Sequence, residues 1–337
     1  LLQQCYNIAD TLIVGRVLGA GALAAVGSSY ALIVFITSIF IGLCMGCSAV
    51  FSMQYGARDM KGMRQSIFSS MLIIGCTTLL LNVLALLFLS PIIHLLQTPP
   101  EVEQMVYNYL FIVFLGMIPS CVYNFYAFLL RAVGNSVVPL WFLVVAVVLN
   151  IGLDLLLMLG LQMGVEGAAL ATVAAQTVAA VGLYIYTRLR FPELCMTRAD
   201  RVVNVHSIRR VASYSFLTCV QQSVMNFGIL MVQGLVNSFG TAVMAAFAAA
   251  VKIDSFAYMP VQDFGNAFST FIAQNFGAGR SDRIKQGIRS AIVLTTLFAL
   301  LVSALVFWLS PWLMSLFVPP TETDIIAIGV EYLRIEG

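Results

Sequence analysis

The sequence predicts an all-α polytopic membrane protein with two six-helix lobes that are related by a parallel repeat, the second lobe being truncated here. Composition is the first observation behind this prediction. The 337-residue chain is 61% hydrophobic and 9% charged, whereas soluble domains carry about 25% charged residues. The second observation is a series of apolar runs, each long enough to cross the ~30 Å hydrocarbon core as a helix. The third is an internal repeat of polar and proline positions.

The apolar runs define ten predicted membrane spans, numbered 1 to 10 in chain order. The spans are 1–18, 24–53, 66–90, 105–130, 138–160, 166–187, 211–237, 242–274, 287–313 and 323–337. The first and last are partial, because the chain opens and stops inside apolar segments. We therefore expect further helices of the second lobe beyond residue 337. Pro119, Pro260 and the Gly42/Gly46 pair mark spans that are expected to bend or to pack closely.

Loops rich in Lys and Arg alternate with loops that hold few of them. The basic loops are 54–65, 131–137, 188–210 and 277–289. Cytoplasmic loops of membrane proteins carry an excess of Lys and Arg. The pattern therefore predicts a multi-pass protein of the cell membrane whose amino end is cytoplasmic.

The internal repeat relates the two predicted lobes. QYGARDMKGMRQSI (54–67) corresponds to QNFGAGRSDRIKQGI (274–288), and Ser90-Pro91 corresponds to Ser310-Pro311. The first lobe holds an even number of spans, so both lobes share one orientation, as in a parallel repeat about the membrane normal. The predicted boundaries are an amino-terminal lobe at 1–190, a cytoplasmic linker at 191–206 and a carboxy-terminal lobe at 207–337.

Span 5 carries two polar residues four positions apart, Asn150 and Asp154, in an otherwise apolar segment. An ionisable side chain at such depth costs ~2.5–3.5 kcal/mol or more and usually serves a function. Asp154 lies about 9 Å below the outer end of its span, and Thr172 of span 6 lies at a similar depth. Asp10 of span 1 lies about 12 Å down. We expect these side chains to converge on one layer.

Two carboxylates, an amide and a hydroxyl suit either a Na⁺ ion or a shared proton, since hard cations prefer oxygen and neighbouring carboxylates hold protons more tightly. The alternative is that the two acids are neutral or hydrogen-bonded packing residues. Other polar side chains within the spans are candidates for a substrate cavity. These are Gln3, Tyr6, Gln222, Asn226, Lys252 and Asp254.

Motifs for enzymes and cofactors are missing from the sequence. It contains no HExxH, P-loop or GxSxG pattern, which argues against an enzyme, against ATP hydrolysis and against a cofactor. Cys44 and Cys47 form a CxxC, but they lie in an apolar span and are expected to act as small hydrophobic residues. The net charge of +2 does not suggest a nucleic-acid partner. Any transport work would therefore come from an ion gradient.

Four segments give the chain a resemblance to the MATE (multidrug and toxic compound extrusion) family. They are NIADTLIVGRVLGAGALAAVG (7–27), RAVGNSVVP (131–139), LNIGLDLLLMLGLQMGVEGAALAT (149–172) and QNFGAG (274–279). The resemblance implies twelve helices in two lobes and export of amphipathic, often cationic compounds in exchange for Na⁺ or H⁺. It also implies that Asp10, Asn150, Asp154 and Thr172 form the cation site of the DinF-like branch. In span 7, Gln221 or Gln222 stands where the NorM-like branch has an acid.

The resulting hypothesis is a cation-coupled efflux antiporter that works by alternating access. Its expected partners are small amphipathic substrates and membrane lipid, and we expect a monomer. A flippase of lipid-linked sugars with a related two-lobe fold is an alternative, but it would need a cationic cavity, and Lys252 is the one intramembrane basic residue. A membrane enzyme would need a catalytic constellation, and a purely structural protein would not need buried acids at a common depth.

Overall fold

The protein is almost entirely helical in a computed structural model, which describes residues 13–14, 18, 20–95, 100–201, 204–237, 239, 241–317 and 322–336. The α-helices in chain order are α1 (Ala20–Gly56), α2 (Met60–Leu87), α3 (Leu89–Leu95), α4 (Pro100–Leu115), α5 (Met117–Ala132), α6 (Val137–Asp154), α7 (Gly164–Arg190), α8 (Val205–Asn237), α9 (Thr241–Gly277), α10 (Ser281–Phe317) and α11 (Thr323–Glu336). A π-helical segment, Leu155–Gly160, continues α6.

The membrane-spanning character predicted from the sequence is confirmed within the described residues. Five helical segments there are long and apolar enough to cross a bilayer, and a sixth is added if the bent pair Val102–Leu115 and Met117–Ala132 forms one span. The five are Leu32–Gly56, Met60–Leu87, Val137–Gly160, Gly164–Arg190 and Ser281–Leu316. The stretches predicted as spans 7 and 8 lie in the long helices α8 and α9.

The bend between α4 and α5 has an identifiable cause. The two helices meet at 43° around Gly116. Pro119, in the first turn of α5, has no backbone N–H, and its ring would clash with the carbonyl of Leu115 in a continuous helix. The predicted interruption of span 4 is therefore confirmed. Pro260, in contrast, lies inside the continuous helix α9.

Residues 2–223 form one compact unit. Within it, α1 packs against α2, α4 and α5, and α7 packs against α4, α5 and α6. The largest core cluster lies among these helices and contains Phe51, Met63, Leu130 and Leu183, all with 2% exposure or less. The two long helices α1 and α7 thus organise the unit.

Residues 224–337 form the other compact unit. In it, α9, α10 and α11 pack against one another around a small core that includes Ala250, Met314 and Leu333. The contact-based division falls inside α8. The predicted assignment of 1–190 and 207–337 to two lobes stays a prediction.

The two loops at the centre of the sequence repeat end their helices in the same way. Arg58 after α1 and Gly279 after α9 both have left-handed backbones, with φ of 58° and 66°. In each loop the next N–H bonds a carbonyl five residues back: Asp59 to Gln54 and Arg280 to Asn275, both at 2.9 Å. This pattern is the Schellman helix end, which satisfies the last carbonyls of a helix. The sequence correspondence here is also a correspondence of local structure.

The linker after α7 is attached to the start of α2. Asp200 lies at the end of a short 3₁₀ turn, where its Oδ2 accepts hydrogen bonds from the Thr197 hydroxyl (2.6 Å), the Thr197 N–H (2.9 Å) and Arg64 Nε (2.9 Å). These bonds, from Thr197 first and then from Arg64, lower the pKa of Asp200. The two bonds from Thr197 close the linker turn, and the bond from Arg64 holds that turn against α2.

Candidate ion-coupling site

Helix α6 presents its two polar residues to the protein interior and its apolar residues outward. Asn150 and Asp154 are both 0% exposed, whereas Val145, Val148 and Leu155 are 44% exposed or more. Residues four positions apart share a helix face, so the amide and the carboxyl lie one turn apart on the same side. In a membrane-spanning helix this arrangement shields the polar pair from lipid, where neither group could find a partner.

The Asn150 amide lies between Asp154 and Thr172. Oriented with its nitrogen toward the carboxylate, it donates to Asp154 Oδ2 at 2.9 Å, while its oxygen accepts from the Thr172 N–H at 3.2 Å. The opposite orientation would set the amide oxygen against the carboxyl oxygens of Asp154, where two acceptors meet, so the first orientation is the one that satisfies both ends of the amide. The structure thus brings together three of the predicted residues, from α6 and α7.

The helix changes type directly after Asp154. Leu155–Gly160 is a π-helix, and at its end the Leu161 N–H bonds the Leu156 carbonyl, five residues back, at 3.0 Å. π-helical turns occur mostly within α-helices and frequently at functional sites. This turn buries Met158, at 2% exposure, while Leu156 and Leu159 on either side are more than half exposed. Sequence reasoning missed this feature because LLLMLG is uniformly apolar.

The other predicted site residues are described only in part. Asp10, Tyr6 and Gln3 lie outside the described residues, as does the side chain of Lys252. The predicted common layer of Asp10 and Asp154 therefore stays a prediction. In the described part, Gln222 and Asn226 are half-buried on α8, and Asp254 is half-buried on α9.

A second polar contact, which the sequence did not indicate, lies at the start of α7. Asn108 of α4 donates to Glu166 Oε1 at 2.6 Å and accepts from Gln104 at 2.8 Å. Glu166 is in the first turn of α7, where the positive end of the helix dipole favours a carboxylate. The contact fixes α4 against the helix that carries Thr172.

With this geometry established, comparison with known proteins gives the family. The model of the MatE family matches residues 1–156 and 216–336, which is most of the chain. The chain belongs to the MatE family. As a MATE protein it is a multi-pass transporter of the ion-coupled efflux type and not an enzyme, in agreement with the sequence prediction.

Other MATE proteins resemble the chain over nearly its whole length. It is 28% identical over 334 residues to the probable multidrug resistance protein YpnP of Bacillus subtilis, with 99% of this chain and 74% of YpnP covered. It is 29% identical to the probable multidrug resistance protein YoeA of the same organism, with 97% and 72% covered. The crystal structure of the Vibrio cholerae MATE transporter VcmN in its bent form superposes with a TM-score of 0.91, at 24% identity, with 99% of this chain and 75% of that chain covered. The VcmN comparison shows the MATE fold.

Proposed function

We propose that this MATE transporter exports amphipathic, often cationic organic compounds, and that Na⁺ or H⁺ binding at Asp154 drives the export. The names of YpnP and YoeA, both probable multidrug resistance proteins, support this substrate class. The observation that carries the proposal is a carboxyl group with no exposed surface, hydrogen-bonded to Asn150 inside a membrane-spanning helix. Asp10, Asn150 and Thr172 complete the proposed cation site.

Burial gives Asp154 a reason to bind a cation. A charged carboxylate in a medium of low dielectric constant is stabilised strongly by an opposite charge, or it takes up a proton. Of the side chains described around it, Asn150 and Thr172 are neutral, so they supply hydrogen bonds but no positive charge. In this proposal a cation or a proton at Asp154 supplies the charge balance that burial of the carboxyl group requires.

The Asn150 amide connects Asp154 to α7. Its nitrogen donates to Asp154 Oδ2 at 2.9 Å, and its oxygen accepts from the Thr172 N–H at 3.2 Å. In the proposed site Asn150 therefore orients the carboxyl group of Asp154 toward the helix that carries Thr172.

The branch of the family, the membrane orientation and the oligomeric state are part of the same proposal. The match of Asp10, Asn150, Asp154 and Thr172 to the cation site of the DinF-like branch, together with Gln221 and Gln222 on α8, favours that branch. The basic loops favour a cell-membrane protein with the linker 191–206 in the cytoplasm. Lipid is its surrounding partner, and we propose that it acts as a monomer.

Transport by purified protein in liposomes tests the proposal. An amphipathic fluorescent cation is loaded on one side, and an inward Na⁺ gradient or an inward pH gradient is imposed in turn. We expect the wild type to move the compound under at least one gradient and Asp154→Asn to lose gradient-driven movement. Asp59→Asn is the matched control, because Asp59 is an exposed acid that caps α2 and Asn also caps helices well.

Two results would contradict the proposal. Transport by the wild type that depends on neither gradient would rule out the coupled mechanism. A folded Asp154→Asn variant with normal gradient-driven transport would remove Asp154 from the coupling site. Folding is checked by a monodisperse size-exclusion profile and by the thermal unfolding midpoint.

A further inference from the structure

Helices α1 and α8 cross more closely than side chains on both would allow. Gly42 and Gly46, one turn apart on α1, face Cys219 and Ser215, one turn apart on α8. A Cβ added at Gly42 would lie 2.7 Å from the Cα of Cys219, and one added at Gly46 would overlap the Cα of Ser215. Small residues spaced four apart on both helices let two backbones approach within a membrane. All four residues belong to the compact unit 2–223.

Polar contacts join the two helices at this crossing. Thr218 Oγ1 donates to the Gly42 carbonyl at 2.6 Å, and Ser215 Oγ donates to the Leu43 carbonyl at 3.1 Å. Cys47 Sγ lies 3.3 Å from Ser215 Oγ. Cys47 is 0% exposed and Ser215 is 1% exposed, so the end of the crossing around this pair is buried.

These contacts can be broken without leaving the main interhelical donor, the Thr218 hydroxyl, without an acceptor. Thr218 Oγ1 also lies 3.0 Å from the Tyr214 carbonyl and 3.1 Å from the Ser215 carbonyl of its own helix. If the helices part, the hydroxyl keeps an acceptor and avoids the penalty of an unsatisfied buried donor. The Gly42 carbonyl is part of α1 and can keep its helical hydrogen bond. The two helices therefore pack closely at the crossing, and parting them costs little hydrogen-bond free energy.

The crossing lies toward one end of both helices. Gly46 is ten residues before the end of α1 at Gly56, and Ser215 is ten residues after the start of α8 at Val205, about 15 Å in each case. Those ends adjoin the basic loop 54–65 and the linker. The contact thus belongs to the half of the helices that the charge pattern places toward the cytoplasm.

We infer that the α1–α8 crossing is a releasable seal, closed while the transporter is shut toward its basic loops and parted when it opens to that side. This inference rests on the proposed function, since α8 is the first helix of the predicted second lobe and alternating access requires the two lobes to move. Gly42, Gly46, Ser215 and Thr218 are its positioning residues. None of them needs to touch the coupling cation.

A disulfide tests whether the crossing must part. In a background where Cys47 is the remaining native cysteine and the other six are alanine, Ser215→Cys places a second thiol beside it. Oxidation with copper phenanthroline and oxygen joins the two sulfurs, with two protons released and two electrons passed to the oxidant. We expect the cross-link to stop substrate exchange between equal concentrations on both sides, and reduction to restore it. Equal-concentration exchange needs alternating access but no ion gradient, so it remains readable if ion coupling fails.

A second pair inside the unit is the matched control. Thr78 Oγ1 lies 3.1 Å from Cys121 Sγ, between α2 and α5. Thr78→Cys, made with Cys121 as the remaining native cysteine, should form a disulfide that leaves exchange at more than about half its rate, because α2 and α5 are expected to move together. Normal exchange by the fully cross-linked Cys47 pair would overturn the inference. Equal loss of exchange from both pairs would also overturn it.

A native thiol gives an independent measurement if Ser215→Cys does not fold. With Cys47 as the remaining cysteine, Gly46→Ala should part the crossing and raise the rate of Cys47 alkylation by N-ethylmaleimide about ten-fold, because local opening controls access to a buried group. Gly75→Ala is the control, since a Cβ at Gly75 meets nothing within 4 Å. Equal alkylation rates in the two variants would overturn the inference.

Discussion

Arg64 Nε lies 2.9 Å from Asp200 Oδ2, and the two residues are 136 positions apart in the sequence. The contact joins the first turns of α2 to the linker that precedes α8. Asp200 is nearly buried, with 5% of its side chain exposed, and it accepts two further bonds from Thr197. The linker is thus held to α2 by a charged, multiply bonded carboxylate.

This carboxylate makes stability depend on pH in a defined direction. The pKa of Asp200 is lower in the folded protein than in the unfolded chain. Its contribution to the free energy of unfolding is therefore complete above the unfolded pKa, about 3.9, and is lost as the pH falls through the folded pKa. We predict that Asp200→Asn lowers the thermal unfolding midpoint by a few degrees at pH 7.

The difference from wild type should shrink below about pH 4, where Asp200 takes up a proton in the wild type as well. Glu193→Gln is the control, because Glu193 meets Arg64 through its backbone carbonyl and not its side chain. It should unfold like the wild type at both pH values. A midpoint difference for Asp200→Asn that is unchanged by pH would contradict the assignment.

Removal of the Asn150 side chain should weaken the proposed coupling site while leaving Asp154 in place. Partners that orient a metal-binding group typically contribute about 10–100-fold in affinity, so Asn150→Ala should raise the cation concentration for half-maximal transport by that order. Thr172→Val should have a smaller effect, because its backbone N–H remains. The measurement is transport rate against Na⁺ concentration and against pH.

Asn124→Ala is a suitable control for this comparison. Asn124 bonds the Ser120 carbonyl of its own helix at 2.8 Å and lies on α5. Its loss should leave the half-maximal cation concentration within about two-fold of wild type, since no partner from another helix is lost. An equal shift in Asn124→Ala and Asn150→Ala would mean that the effect is general and does not come from the site.

The bend at Gly116 should be sensitive to a single methyl group. A Cβ at Gly116 would overlap Val173 of α7, and Val is stiff about χ1, so it cannot easily turn away. We predict that Gly116→Ala lowers the free energy of unfolding by about 1–3 kcal/mol. Gly75→Ala, with open space around it, should be neutral or stabilising, and the ranking can be read from thermal unfolding in detergent.

The π-helical segment should be essential for transport and largely dispensable for folding. Deletion of Leu156 removes one residue from the widened turn and should restore α geometry, which tightens the turn that follows Asp154. We predict a loss of gradient-driven transport of about ten-fold or more, because the tightened turn would shift Met158 and Asp154 against α7, and small displacements at a functional site cost large factors in rate. Leu156→Ala, which removes an exposed side chain and no backbone, should transport normally.

If the deletion variant transports like the wild type, the π-helix has no part in coupling. Circular dichroism and the unfolding midpoint separate the predicted loss of transport from a loss of fold. The two variants alter the same residue, so differences in expression or in lipid contact affect both.

The sequence was sufficient for features that depend on composition and on local chemistry. Long apolar runs predicted the membrane helices, and Pro119 predicted the break between α4 and α5. The GxxxG of Gly42 and Gly46 signalled a close helix contact. It could not name Ser215 and Cys219 as the partners, because small residues are common in membrane helices.

Features that depend on tertiary context were not predictable in this way. The Arg64–Asp200 contact joins residues too far apart in sequence for any local pattern to relate them. The π-turn in LLLMLG has no polar or proline signal, since its backbone hydrogen bonds depend on how α6 packs against α7. Both features follow from how the helices assemble and not from the preferences of single segments.

The complete burial of Asn150 and Asp154 has a kinetic consequence. With 0% of either residue exposed, an ion in water has no direct route to the carboxyl group while the helices stand as they do. Entry and exit must wait for a helix movement, so the exchange rate should reach a ceiling set by that movement however high the ion concentration is raised. In the proposed mechanism the same barrier limits leak, because an ion could cross through this site only when the protein completes the motion that also moves its substrate.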